Sequence, residues 1–148
     1  MREKHGRLLF LCVQRSVRAV LAASILNSRV CGPWDIWTGS VEVSPQERDL
    51  AVRVLDELGM ELIVAPQSIE PSPGLVWEMS IVLHSGESAV CPLVPGALCQ
   101  RWWTVEDLPR VSLGLEDRLS GYRRIRDTLR SLIDEELLLP TLQRRRDR

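Results

Sequence analysis

Histidine is nearly missing from this chain: His5 and His84 are the only two in 148 residues. That excludes a histidine-rich metal centre. Cysteine is scarce as well. Cys12, Cys31, Cys91 and Cys99 are irregularly spaced and form no Cys-x-x-Cys pair. They suit neither a disulfide framework nor the ligand spacing of a zinc site. No apolar run is long enough to span a bilayer. Charge of one sign is lacking too: 19 basic residues face 20 acidic ones, for a net charge of −1. A polyanion-binding surface is therefore not expected, nor is a disordered chain. There is no internal repeat, heptad array or helix-turn-helix pattern.

What remains is the composition of one ordinary domain, with 45% hydrophobic and 26% charged residues. Residues 1–140 are expected to form it. Residues 141–148 are set apart by Arg144, Arg145, Arg146 and Arg148, opposed only by Asp147, and are expected to be a solvated basic tail. The first residues, Met-Arg-Glu-Lys-His-Gly-Arg, have the charge of a signal peptide. Gln14, Arg15 and Arg18 interrupt any apolar stretch behind them. The expectation is a cytoplasmic protein with reduced thiols, needing no metal and no cofactor.

Apolar periodicity predicts alternating strands and helices. Leu8–Leu11 reads as a buried strand. Val17–Asn27 reads as a helix with Val17, Val20, Leu21, Ser24 and Ile25 on one side, broken by Cys31-Gly32-Pro33. Asp35–Gly39 is a second strand. Ser44-Pro45-Gln46-Glu47 opens a second helix with a serine cap, a proline in the first turn and a capping-box glutamate. That helix turns Leu50, Ala51, Val54, Leu55 and Leu58 inward and stops at Gly59. Residues 60–74 are expected to be turns and loop, with 61–64 extended. Val76–Leu83 and Gln100–Val105 complete the strands. A last helix runs from Leu115 to Leu139, striped with Leu119, Tyr122, Ile125, Leu129, Leu132 and Ile133, and ends at Pro140. Such alternation implies an α/β domain with a parallel sheet, whose ligands sit beyond the carboxyl ends of the strands. Cys12, His84 and Asp107 all fall there.

The chemistry-bearing stretch is Cys12-Val13-Gln14-Arg15-Ser16-Val17-Arg18. It places a thiol at the end of a strand and an arginine where a helix begins, with proline-free backbone between. The N–H groups of Val13, Gln14, Arg15, Ser16, Val17 and Arg18 are expected to cradle an oxyanion. A helix start and a guanidinium favour the thiolate, which is the nucleophilic form. Arg18 has the fork that clamps two oxygens at once, which lysine lacks. Asp107, or Glu106 beside it, is the expected general acid. Cys91 is a second thiol able to resolve an adduct on Cys12, or else a buried core cysteine. His84, Glu106 and one of Trp102 and Trp103, with Trp103 the choice, are candidates for the pocket rim, core packing being the ordinary role of a tryptophan.

Taken in order, these segments resemble the low-molecular-weight protein tyrosine phosphatase superfamily, and within it the small thioredoxin-coupled arsenate reductases. Leu8-Leu9-Phe10-Leu11-Cys12 resembles the first strand and nucleophile, and Ser16 and Arg18 the loop that follows. Trp37-Thr38-Gly39, Ser44-Pro45 through Leu58-Gly59, Cys91-Pro92, Val94-Pro95-Gly96, Trp103 to Asp107, and Tyr122 to Asp127 resemble later segments. The likeness spans residues 7 to 135. It implies a three-layer α/β fold with a small four-stranded parallel sheet flanked by helices. It implies as well an arsenate reductase-like enzyme with Cys12 as nucleophile, Arg18 as clamp and a thiol or redoxin as reductant. The alternatives are a phosphatase acting on a phosphomonoester or tyrosine-phosphorylated protein, and a non-catalytic oxyanion- or protein-binding member. The chain departs from the pattern at Gln14 and Arg15 (for glycine and asparagine), at Ala19 (for serine) and at His84 (for the first relay cysteine). Leu108 is a further departure, standing between Asp107 and Pro109.

Overall fold

The computed structural model describes residues 6–14, 16–29, 34–63, 74, 76–86 and 93–138. It has the three-layer α/β architecture with a four-stranded parallel sheet flanked by helices. The strands are β1 (Gly6–Cys12), β2 (Trp34–Thr38), β3 (Met79–His84) and β4 (Gln100–Thr104), in the order β2-β1-β3-β4. The helices are α1 (Arg18–Arg29), α2 (Pro45–Asp56) and α3 (Leu115–Ile133). Register is set by side-chain alternation. Leu8, Phe10 and Cys12 join Ile81, Leu83 and Trp103 under the three helices. Leu9, Val82, Trp77 and Val94 cluster on the opposite face, with Leu11, Trp37 and Ala97 against them. A parallel sheet covered on both faces explains why β1 reads as a continuous apolar run.

α1 differs from its predicted amphipathic form. Every residue from Arg18 to Leu26 is buried, because the helix packs on β1 and β2 with one side and on α3 with another. A helix enclosed this way has no solvent stripe to betray its facing. α2 opens as expected. The Glu47 N–H donates to Ser44 Oγ at 3.1 Å, and Glu47 Oε1 accepts from the Ser44 N–H. It closes around Gly59, whose φ is 70°. The Met60 N–H donates to the Leu55 carbonyl and the Gly59 N–H to that of Asp56, the paired bonds of a glycine-terminated helix. Leu58, expected inside, is 36% exposed because it lies in this closing turn.

Two further boundaries move. Trp77 is separated from β3 and makes only an isolated bridge to Ala97. The last helix is not uniformly α: after Ile133 it widens into a π-helical stretch, Asp134–Leu138. There Asp134 meets Arg29 at 3.3 Å and Glu136 meets Arg101 at 2.7 Å, while Leu137 stays in the core. The predicted stripe holds elsewhere: Leu119, Tyr122, Ile125, Leu129 and Ile133 are buried and Leu132 is partly so. The break at 31–33, the basic tail and most of the 60–74 loop lie outside the described residues.

Candidate active site

β1 delivers Cys12 to the carboxyl edge of the sheet, and α1 begins six residues later with Arg18. Cys12 is 4% exposed and Arg18 is wholly buried. A buried guanidinium must satisfy its five N–H donors or lose several kcal/mol. Arg18 places four of them within the site. Nε donates to Ser16 Oγ at 2.9 Å, and one terminal nitrogen donates to the main-chain carbonyls of Val105 at 3.0 Å and Glu106 at 3.3 Å. The other terminal nitrogen has the weakest partners, Gln14 Oε1 at 3.4 Å and Asp107 Oδ1 at 3.9 Å. Ser16 Oγ also lies 3.2 Å from Cys12 Sγ. Thiol, hydroxyl and guanidinium form one buried chain, Cys12–Ser16–Arg18. A cysteine and a buried arginine joined in this way are consistent with an oxyanion-binding site.

The loop after β4 brings the carboxylate. The Val105 N–H continues the sheet to the His84 carbonyl, and Val105 and Glu106 turn their own carbonyls toward Arg18. Asp107 is half-exposed, 51% by side chain, and its Oδ1 accepts from the Leu108 N–H at 2.9 Å. Pro109 anchors the loop on α3 at Gly121, where a Cβ would lie 2.6 Å from the proline ring.

Several expected roles change. The Val13 N–H donates to the Leu83 carbonyl at 3.1 Å, so it extends the β1–β3 ladder rather than lining an anion cradle. The Arg18 N–H donates to Ser16 Oγ at 3.2 Å. The amides of Gln14, Ser16 and Val17 have no backbone acceptor among the described residues. Trp103 is not a rim residue: it is 2% exposed, with its ring 6.1 Å from that of Phe10. Its neighbour Trp102, on the other face of β4, is the exposed one. His84 turns back on its own loop, its Nδ1 accepting from the Gly86 N–H at 3.1 Å. Glu106 gives its carbonyl to Arg18 but its carboxylate to Arg124, at 3.1 Å, which leaves Asp107 as the carboxylate beside Arg18. Arg15 and Cys91 lie outside the described residues.

The same arrangement of strands and helices occurs in solved structures. An arsenate reductase in reduced state superposes with a TM-score of 0.65, at 16% identity over 93% of this chain and 98% of its own. The arsenate reductase of Archaeoglobus fulgidus gives 0.56, at 19% identity over 85% and 98%. A Drosophila arginine phosphatase gives 0.54, at 15% identity over 87% and 97%. The fold is that of the arsenate reductases and low-molecular-weight phosphatases. At such identities the likeness establishes the fold alone. No family model matches the sequence, and no curated protein matches it.

Two contributors escaped the sequence reading. The Val105 carbonyl is a main-chain atom 87 residues from Arg18, and no residue pattern encodes it. Ser16 was legible only as a loop member, since its role depends on the direction of a hydroxyl. Among the described residues no group of three His, Cys, Asp or Glu could hold a metal ion, and no helix is long and apolar enough to cross a membrane.

Proposed function

We propose that this protein is an arsenate reductase-like enzyme that attacks a tetrahedral oxyanion with the Cys12 sulfur. The observation that carries the reading is the wholly buried Arg18 guanidinium, linked through Ser16 Oγ to Cys12 Sγ. Burying a cation beside a thiol is costly unless it serves a charge. The arriving oxyanion takes the terminal nitrogen now held only by Gln14 and Asp107, while the other nitrogens keep the fork aimed. Cys12 forms a sulfur–arsenic bond as an arsenic–oxygen bond breaks. Asp107 gives the proton with which that oxygen leaves as water. A second thiol, Cys91 or an external thiol or redoxin, then attacks the Cys12 sulfur. A disulfide forms, and the sulfur–arsenic electron pair passes to arsenic, reducing it from As(V) to As(III).

The position of Asp107 supports a second reading. A half-exposed carboxylate 3.9 Å from Arg18 also suits protonation of an ester oxygen, as in hydrolysis of a phosphomonoester. The deciding experiment offers arsenate with a thiol reductant, and separately an aryl phosphate. Arsenate-dependent thiol consumption that is lost in Cys12→Ala supports the reductase. Aryl phosphate turnover lost in the same variant supports the phosphatase. Inactivity with retained oxyanion binding removes both and leaves a binding protein. Cys91→Ser is expected to abolish arsenate reduction while sparing ester hydrolysis. Equal loss of both would exclude Cys91 as the resolving thiol.

A further inference from the structure

We propose that Ser16 is a positioning residue of the site, its hydroxyl proton aimed at the Cys12 sulfur and its lone pairs holding Arg18. The inference rests on the reading of Cys12 as nucleophile. A hydroxyl has one proton and two lone pairs. Two of the three contacts at Ser16 Oγ come from groups that can only donate: Arg18 Nε at 2.9 Å and the Arg18 backbone N–H at 3.2 Å. Both lone pairs are thereby used. The third contact is Cys12 Sγ at 3.2 Å, and the only direction left for the proton is toward that sulfur. A hydrogen bond to the charged form of a group favours that form, so this hydroxyl stabilises a thiolate.

The surroundings strengthen the effect. Cys12 and Ser16 are 4% and 6% exposed, so bulk water cannot replace the bond. The guanidinium that donates to Ser16 Oγ polarises its O–H and makes it a stronger donor. The residue following Arg18 is Ala19, which has no hydroxyl to offer. Among the described residues, Ser16 is the side chain hydrogen-bonded to the Cys12 sulfur. One atom thus couples the position of the clamp to the charge of the nucleophile.

The test is alkylation of Cys12 by iodoacetamide in the full chain, read peptide by peptide by mass spectrometry so that the other cysteines are scored separately. Ser16→Ala is expected to slow Cys12 at least about tenfold near pH 6.5, and to approach the parent protein's rate near pH 10, above the free-thiol value of about 8.5. Ser16→Thr is expected to restore the neutral-pH rate, with the exposed Cys99 as an unchanged internal reference. A Ser16→Ala profile that tracks the parent at every pH overturns the proposal. So does slowing by one constant factor across the range, which marks altered access instead of altered ionisation. Should alanine prevent folding, the isosteric pair Ser16→Thr and Ser16→Val decides, and equal rates in the two refute the idea. Alkylation requires no oxyanion. A pH-selective loss without turnover keeps the Ser16 role and removes the enzymatic reading, and turnover without that loss does the reverse.

Discussion

Arg18 is the residue on which the proposed site depends, because it is at once a buried charge and the proposed clamp. Its Nε and one terminal nitrogen are committed to Ser16, Val105 and Glu106, which fixes the plane of the guanidinium and leaves one corner for a ligand. Arg18→Lys is expected to retain the fold and lose turnover by about 10²–10³-fold, since an ammonium cannot hold two oxygens in one plane or keep three internal acceptors. Steady-state kinetics on the folded variant check this, and undiminished turnover would remove Arg18 from the mechanism. At the same scale, Gln14 bears on that corner. Its Oε1 sits on the corner of Arg18 that an oxyanion would take, but at 3.4 Å it is a weak occupant.

At the scale of elements, α3 is the platform that positions the carboxylate loop. Gly121 permits Pro109 to rest directly on the helix. Alanine is favoured in a helix by about 1 kcal/mol over glycine, but here its methyl would meet three ring atoms of Pro109 at 2.6 to 3.2 Å. Overpacking of this kind costs about 1–3 kcal/mol, so the clash wins. Gly121→Ala is expected to lower Tm and to reduce activity by shifting Asp107. A variant with raised Tm would show that the loop is not anchored there. The other end of the platform is tied to α2. Glu57 accepts from Arg123 at 2.7 to 3.0 Å and from Arg126 at 2.6 Å. These bonds, Arg123 first and Arg126 next, hold its carboxyl down at about 2 from an ordinary value of 4.5. The unfolded chain takes up this proton near 4.5 while the folded one resists until about 2. The contribution is therefore complete above about 4.5 and lost as pH falls toward 2. Denaturant titrations below pH 5 are expected to show a shallower acid loss in Glu57→Gln than in the parent.

Across the whole molecule, the site couples to global stability because its walls come from β1, α1 and the loop after β4, which only the folded chain brings together. An oxyanion that binds this assembly and not the unfolded chain stabilises it by mass action. Phosphate at a hundred times its Kd contributes about 2.7 kcal/mol, and the resulting rise in Tm is expected to vanish in Arg18→Lys. A Tm indifferent to phosphate in the parent would mean that the site does not take an oxyanion. The alkaline limb is set elsewhere. Burial pushes Tyr122 up to about 12 from 10. The folded state keeps that proton longer than the unfolded one, so its contribution is whole below pH 10 and lost as pH climbs toward 12.

The order of strands and helices, the capping of α2 and the Cys12–Arg18 spacing were all determined locally. Apolar period, cap chemistry and loop length act over a few residues, and the sequence therefore states them directly. Leu58, the π-helical end and the all-round burial of α1 were not readable, because each depends on what packs against the element. The division is sharpest at the site. That a thiol and an arginine flank a short loop is a property of the chain. Which atoms complete the guanidinium was decided by tertiary structure alone, since the Val105 and Glu106 carbonyls reach Arg18 only after β4 has docked beside β3. The same holds for Trp102 and Trp103: alternation says that they point to opposite faces, and only the packed sheet says which face is the core.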